Sequence, residues 1–509
     1  MSARRGTVLL AVLAAVTIAA LAAATVLFAT DAQVSASAAS LARTQSRSNA
    51  WSALQAVTAQ LADQREDLLL GEPPAIDPDI DLYETDTGRL GVARLVAIGP
   101  DGELLVPEGG KLDVNHATAE MLTQLDAIDS DLAERIVAAR PFASVHDLLG
   151  IEGIDHDLLY GSVAPDGADA GLVADEPTLA LSDLLTVFSF DPNVQTGVGD
   201  SDEARQARGR QRFNLDLPWT DRLGRALDER FEEGVGETVH ELMDDGVVFA
   251  SDADLIALLH NRFGLGPDNW REILDAIATS DDEFRPGRVD LLTASPEVLA
   301  AVPGFDRAIA AEIVAARDTL DDEERLTVCW PAMRGIVTPE EFILAVDHLT
   351  TRCMQWRVRI EAGTLAPEDM EVRADEFGVV TQGLPGFDAP LRDRIVIEAV
   401  IDVGSMRPRI AELVELTSLD AASAIARTVP PETDEEPAPD DASAVSDEVL
   451  LAEPDDETAP GFGDLDFGTD TGAVVGESPL AIEPGSDESP DDFSLVDRRI
   501  GRWRYAGTH

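Results

Sequence analysis

From Thr7 to Thr30 the chain carries no charged side chain, in the run TVLLAVLAAVTIAALAAATVLFAT. A helix rises about 1.5 Å per residue, so such a run spans the roughly 30 Å hydrocarbon core of a bilayer. Whatever follows must therefore fold as a body tethered to a transmembrane helix over 7–30. A cleaved secretory signal has an apolar region of about 7–15 residues, shorter than this one. Arg4 and Arg5 precede the run, and Asp31 is the first charge after it. That asymmetry predicts a single pass through the inner membrane, with the N-terminus cytoplasmic and the bulk of the chain periplasmic.

The short basic stretch closed by Gly6, followed by a long apolar helix with an amphipathic continuation, resembles the class III leader (residues 1–6) of type IV pilins and pseudopilins. A prepilin peptidase cuts such leaders after the glycine, which here implies cleavage between Gly6 and Thr7. Most of these proteins carry glutamate at the fifth mature position; this chain has Ala11.

The formal charge is −59, with a single lysine, Lys111. Such acidity repels nucleic acid and anionic headgroups. Part of it is local: residues 428–497 form an acidic tail rich in Asp, Glu, Pro, Gly and Ser, with too little apolar surface to fold alone. A short basic end follows at 498–509. Cys329 and Cys353 fall in the exported part, where an oxidising compartment permits a disulfide. Their spacing leaves the pairing open.

Along the chain, residues 31–71 continue the helix. Leu41, Trp51, Leu54, Val57, Leu61 and Leu68 recur at helical spacings, and Gly71-Glu72-Pro73-Pro74 ends the pattern. Asp77 to Asp86 reads as an acidic loop. Val92–Ile98 and Glu103–Val106 read as a hairpin turning at Gly99-Pro100-Asp101-Gly102. Residues 113–140 and 290–317 then align without a gap, each ending in IVAAR. Both read as a capped helix, a tight turn and a second helix, and they resemble helix-hairpin-helix modules, with copies at 113–160 and 290–350. Nucleic-acid binding by such modules needs hairpin N–H groups free to meet a phosphate and nearby basic residues. Here Asp126, Asp129, Asp131, Asp155 and Asp306 surround the turns, so no nucleic-acid partner is expected. Further helices are predicted at 221–245, 252–263, 268–278 and 338–351, completing an all-α block over 112–351. Period two returns at Gln355–Glu361, with strands at Arg394–Val403 and Pro408–Leu416.

The predicted fold class is α+β. A long N-terminal helix packs on a small antiparallel, pilin-like sheet drawn from 88–111 and 352–418, interrupted by a large helix-hairpin-helix insert and followed by a disordered acidic tail. This order resembles the general secretion pathway protein K family, the large minor pseudopilins of type II secretion systems. The residues that carry the resemblance are Arg4-Arg5-Gly6, LSDLLTVFSFDPN at 181–193, RFNLDLP at 212–218, the repeat at 289–317, TTRCMQWRVRIEAG and RIVIEAVIDV. The resemblance covers roughly residues 1–416. It implies a structural subunit at the pseudopilus tip that initiates assembly with the I and J minor pseudopilins and contributes to protein export. The family characteristically lacks the fifth-position glutamate, as Ala11 does here.

No catalytic constellation emerges. His240-Glu241 lacks the second histidine of a zinc helix, and no nucleophile elbow is present. The chain is therefore expected not to be an enzyme. One metal reading remains. Asp191, Asn193, Asp200 and Asp202 partly resemble a calcium loop, although Thr196 stands where an EF-hand needs glycine. The competing functions are a membrane-anchored helix-hairpin-helix DNA receptor of the competence type, and an exported hydrolase.

Overall fold

The apolar run and its continuation form one helix, α1 (Ala3–Asp63). Its 61 residues give it a length of about 90 Å. Hydroxyls along it donate back to the preceding turn, as Thr30 does to the Val26 carbonyl at 2.7 Å and Ser37 to the Gln33 carbonyl at 2.8 Å. A helix studded with apolar side chains thus satisfies its own polar groups. In the first half the large side chains point outward: Leu13, Leu27, Phe28 and Leu41 are 66, 69, 76 and 73% exposed. One window there has a mean hydropathy of 1.8 and none of it is buried, so this helix is long and apolar enough to span a membrane. From Ser46 onward the helix is packed, with Ala50, Ala53, Leu54, Val57 and Leu61 buried. The expected face was partly wrong. Leu41 and Trp51 lie outside it, and small residues (Ser46, Ala50, Ala53) complete it by allowing close approach to the sheet.

The computed structural model describes residues 3–86, 88–98, 102–161, 180–199, 201–231, 233–365, 371–374, 380–383, 391–416 and 504–505. The acidic tail, the turn at 99–101, Asp200 and all of the basic end except 504–505 lie outside them.

The sheet contains β1 (Asp79–Glu84), β2 (Leu90–Leu95), β3 (Leu105–Pro107), β4 (Gln355–Leu365), β5 (Arg392–Asp402), β6 (Arg409–Glu415) and β7 (Arg504–Tyr505). Its order is β1-β2-β4-β5-β6-β7, antiparallel except for the parallel β6–β7 pair. Two sequence expectations need correcting. The turn expected between β2 and β3 is closed by Ile98 N donating to the Glu103 carbonyl at 2.8 Å, but β2 and β3 do not pair with each other. Both pair with β4, end to end: Ile360 lies opposite Leu95, and Val358 opposite Leu105. The acidic loop is the edge strand β1, in which Ile80 and Leu82 pack on the core while Asp79 and Asp81 face solvent. Charge on an edge strand blocks further pairing, so acidity here marks an edge rather than a loop.

Trp356, Val358 and Ile360 of β4 and Ile395, Ile397, Ala399 and Ile401 of β5 meet α1 in one core. Arg47 is paired with Glu415 at 3.0 Å, Asn49 donates to the Gly363 carbonyl at 3.2 Å, and Arg65 donates to the Val403 and Gly404 carbonyls. Arg47 and Asn49 thereby fix α1 to the sheet, and Arg65 fixes the short helix that follows it, Arg65–Leu69.

Between β3 and β4 lies the helical insert, and it holds three units rather than two. Each opens with a two-residue strand and returns to pair with it in parallel: Leu112–Asp113 with Leu185–Thr186, Phe213–Asn214 with Ile277–Ala278, and Val289–Asp290 with Leu349–Thr350. In each, an acid or amide on the opening strand accepts from the N–H two residues on: Asp113 from Asn115, Asn214 from Asp216, Asp290 from Leu292. Thr118, Thr220 and Ser295 then cap the first helix of each unit. The middle unit has longer helices, Asp221–Arg230, Val235–Asp244, Asp252–Phe263 and Pro267–Ala276. The helix expected over 221–245 is thus broken at Gly234, whose φ is +99°. One apolar core runs through all three units.

Candidate functional site

Three places were open as sites: the hairpin tips, the oxygen-rich segment after residue 190, and the seam joining insert to sheet.

At each hairpin tip, one of the N–H groups that a phosphate would need is already taken. Asp129 accepts from Leu132 N, Asp155 from Leu158 N and Asp306 from Ile309 N, each at 2.8 Å. A carboxylate at a helix N-terminus satisfies the orphan donors and the macrodipole, so it occupies the anion's place. Asp131 and Glu134 are exposed beside the first tip, and Arg307 there pairs with Asp126. Gly304 keeps its hairpin tight. Its φ is +85°, and a Cβ would lie 2.5 Å from the Glu341 carbonyl oxygen. The arginine of each IVAAR copy is structural: Arg140 donates to the Ala117 carbonyl at 2.5 Å and Arg317 to the Ala294 carbonyl at 2.9 Å.

The calcium reading is not supported by the geometry. Asp191 is buried and held by Arg285 and by Arg352, the latter at 2.6 Å. Burial raises its carboxyl, but Arg352 and Arg285 outweigh this and hold it well below the usual carboxylate range. Asn193 donates to the Asp282 carbonyl at 3.0 Å, and Asp202 is exposed and pairs with Arg205 at 2.8 Å. Asp200 lies outside the described residues, and among those described no group of three or more acidic, His or Cys side chains is set to hold a metal. The alternate spacing of 191 and 193 reflects the short strand Phe190–Pro192, which pairs with Phe284–Pro286.

The cysteines are not bonded to each other. Cys329 lies in the core of the insert and Cys353 in the core beneath the sheet. Burial pushes the Cys329 thiol up to about 12 and raises that of Cys353, so neither supplies the thiolate that disulfide exchange requires. The Cys353 thiol accepts from Gly109 N at 3.2 Å and donates to the Gln355 carbonyl at 2.9 Å.

The seam is the built site that sequence reading missed. Glu108, wholly buried at the start of the insert, meets Arg357 of β4 at 2.6 Å and Lys111 at 3.5 Å. The Thr186 hydroxyl also donates to it. Burial raises its carboxyl, but Arg357 and Lys111 pull it down to about 2. Arg357 continues to Glu398 at 2.9 Å and Glu412 at 3.2 Å, and Arg359 pairs with Glu398 at 2.8 Å. Apart from Lys111, three residues on, the partners of Glu108 lie 78 and 249 residues away, and nothing local announced those two. Only the alternation of Arg357, Arg359 and Glu361 hinted at a charged face. Gly6, Thr7 and Ala11 fall within α1, where the structure describes the backbone only.

No curated protein matches this chain. A helix-hairpin-helix motif family matches residues 108–160, which span the first of the three units up to its fourth short helix.

Proposed function

We propose that this chain is a structural, non-catalytic subunit of a membrane-rooted filament, a minor pseudopilin of the general secretion pathway protein K type that starts and caps a type II secretion pseudopilus. One observation carries the reading. A single helix has a first half covered in exposed apolar side chains and a second half packed on an antiparallel sheet, with a large insert between neighbouring strands of that sheet. The apolar half suits a bilayer first and a bundle of like helices afterwards. In such a bundle a buried N-terminal ammonium needs an acidic partner. Ala11 supplies none, which suits a subunit with a vacant side, and the broad insert would hinder stacking above it. On this reading prepilin peptidase is the processing enzyme, the I and J minor pseudopilins are the neighbours, and the bulk of the chain is periplasmic.

N-terminal sequencing of the mature protein tests this. A first residue of Thr7 is expected; a start near Ala32 to Ala39 would mark ordinary secretion and end the proposal. Ala11→Glu should reduce recovery of the tip complex with the I and J subunits. The motif match favours a second reading, a membrane-anchored DNA receptor. The capped hairpin tips argue against it, and saturable binding of duplex DNA at about 150 mM salt would reinstate it.

A further inference from the structure

Inside the insert lies a cavity of about 30 Å³ lined by Arg212, Arg271, Arg285, Arg288 and Arg352, with Asp252 and Asp275. In a chain of net charge −59 this is an unusual concentration of cations. The carboxylates near it are already committed. Asp191 holds Arg285 and Arg352. Asp252 holds Arg288 at 2.8 Å and Arg285 at 3.3 Å. Asp275 accepts from Thr196 N at 2.6 Å and its hydroxyl at 2.7 Å, from Gly197 N at 3.0 Å and from Val198 N at 3.1 Å.

Donors are left over. The Arg212 guanidinium makes no hydrogen bond or ion pair among the described residues, and its Nε is buried without a partner. Arg285 Nε and Arg352 Nη1 are likewise buried and unpartnered, and the Arg352 side chain is only 3% exposed. Arg285 and Arg352 are ion-paired with Asp191, but Arg212 has no ion pair among the described residues, and an unsatisfied buried donor carries a desolvation penalty, so three such donors on residues lining one void favour an anionic acceptor there. We propose that this cavity binds a free tetrahedral oxyanion, inorganic phosphate or sulfate, through Arg212, Arg285 and Arg352. Guanidinium forks match such oxygens, and the void has room for a water-sized guest or small ion rather than a peptide or nucleotide. Burial, with Arg285 and Arg352 adding to it, lowers the Arg212 pKa to about 9, and Asp191 and Asp275 offset this only in part. This site is independent of the filament role proposed above.

The test is calorimetric titration of the full chain in a phosphate-free detergent, at constant ionic strength in chloride, with phosphate, sulfate, acetate and glycerol 3-phosphate. Phosphate or sulfate should bind one to one, and the other two at least about tenfold more weakly. Arg212→Met should weaken phosphate by about tenfold or more, the loss expected for a charge-assisted hydrogen bond. It removes an unpaired charge, so without phosphate it should melt no lower than the parent. Arg205→Ala, on an exposed pair, should bind as the parent does. Absence of binding, or unchanged binding by Arg212→Met, would overturn the proposal. Equal binding of acetate would replace it with a carboxylate site, and equal binding of glycerol 3-phosphate with a lipid headgroup site.

Discussion

Along β4, Trp356, Val358 and Ile360 turn towards α1, while Arg357, Arg359 and Glu361 turn to the opposite face. One face is held by apolar burial and the other by ion pairs, although five of these six side chains are buried and Arg357 nearly so. The apolar face tolerates no loss of volume but is indifferent to pH. The charged face depends on every partner being present and on the carboxylates being ionised. The helix is thus fastened mainly by packing, with the Arg47–Glu415 pair beside it, and the insert by the Glu108–Arg357 pair together with apolar contact at Val400.

That contrast can be broken or sharpened by substitution. The largest effect is expected from Glu108→Gln, which strips the seam of its central carboxylate and should cost about 3–5 kcal/mol near neutral pH. Its pH dependence is specific. The folded carboxyl, at about 2, lies below the ordinary value of about 4.3. The stabilisation is therefore complete above about pH 4.3 and lost as pH falls towards 2. The gap in Tm between parent and variant should be constant from pH 5 to 8 and close below pH 4; a gap that persists at pH 2 would refute the ionic account. Leu54→Ala, on the opposite face, should cost about 2–5 kcal/mol in denaturant unfolding, equally at pH 4.5 and pH 7.5.

Asp290 provides the reverse sign. Burial pushes its carboxyl up to about 6, and Thr293, the Leu292 N–H and the Arg317 charge offset this only in part. The folded state holds that proton more tightly than the unfolded one, so stability is present below about pH 3.9 and is lost as pH rises through 6. Asp290→Asn, which installs the side chain that Asn214 already uses in the middle unit, should stabilise by on the order of 2 kcal/mol at pH 7.5 and by nothing at pH 3.5. Ala53→Leu should cost about 1–3 kcal/mol by forcing α1 off the sheet. Leu21→Ala, in the exposed half of the same helix, should change unfolding of the headpiece by less than about 0.5 kcal/mol. A larger loss would mean that the first half of α1 is packed on the headpiece.

The long helix was legible because absence of charge is a local signal, and two of the three units because their residues align without a gap. The middle unit escaped. It opens with Asn214 in place of aspartate and lengthens its helices, so the likeness survives in hydrogen bonding rather than in letters. β1 was hidden by its acids, and the order of β2 and β3 by a turn motif that promised a hairpin. The oxygen ligands at 191 and 193 looked available only because Arg285 and Arg352, which hold Asp191, and the Asp282 carbonyl, which accepts from Asn193, stand about a hundred residues or more downstream. Sequence spacing reports neighbours within a turn or two of helix; the seam, the Arg-lined cavity and the separation of the cysteines are all set by contacts across the insert.

The insert leaves the sheet after Pro107 and rejoins it at Gln355, and Pro107 is the cross-strand neighbour of Trp356. Entry and exit are thus one strand spacing apart, about 5 Å. A tight two-residue turn could close the same gap, so the clasp around the rod and the body it carries are separable by a single excision. Such a joint lets one stem accept heads of different size without redesign of its own register, and a stem trimmed in this way would be the smallest piece in which to study the clasp alone.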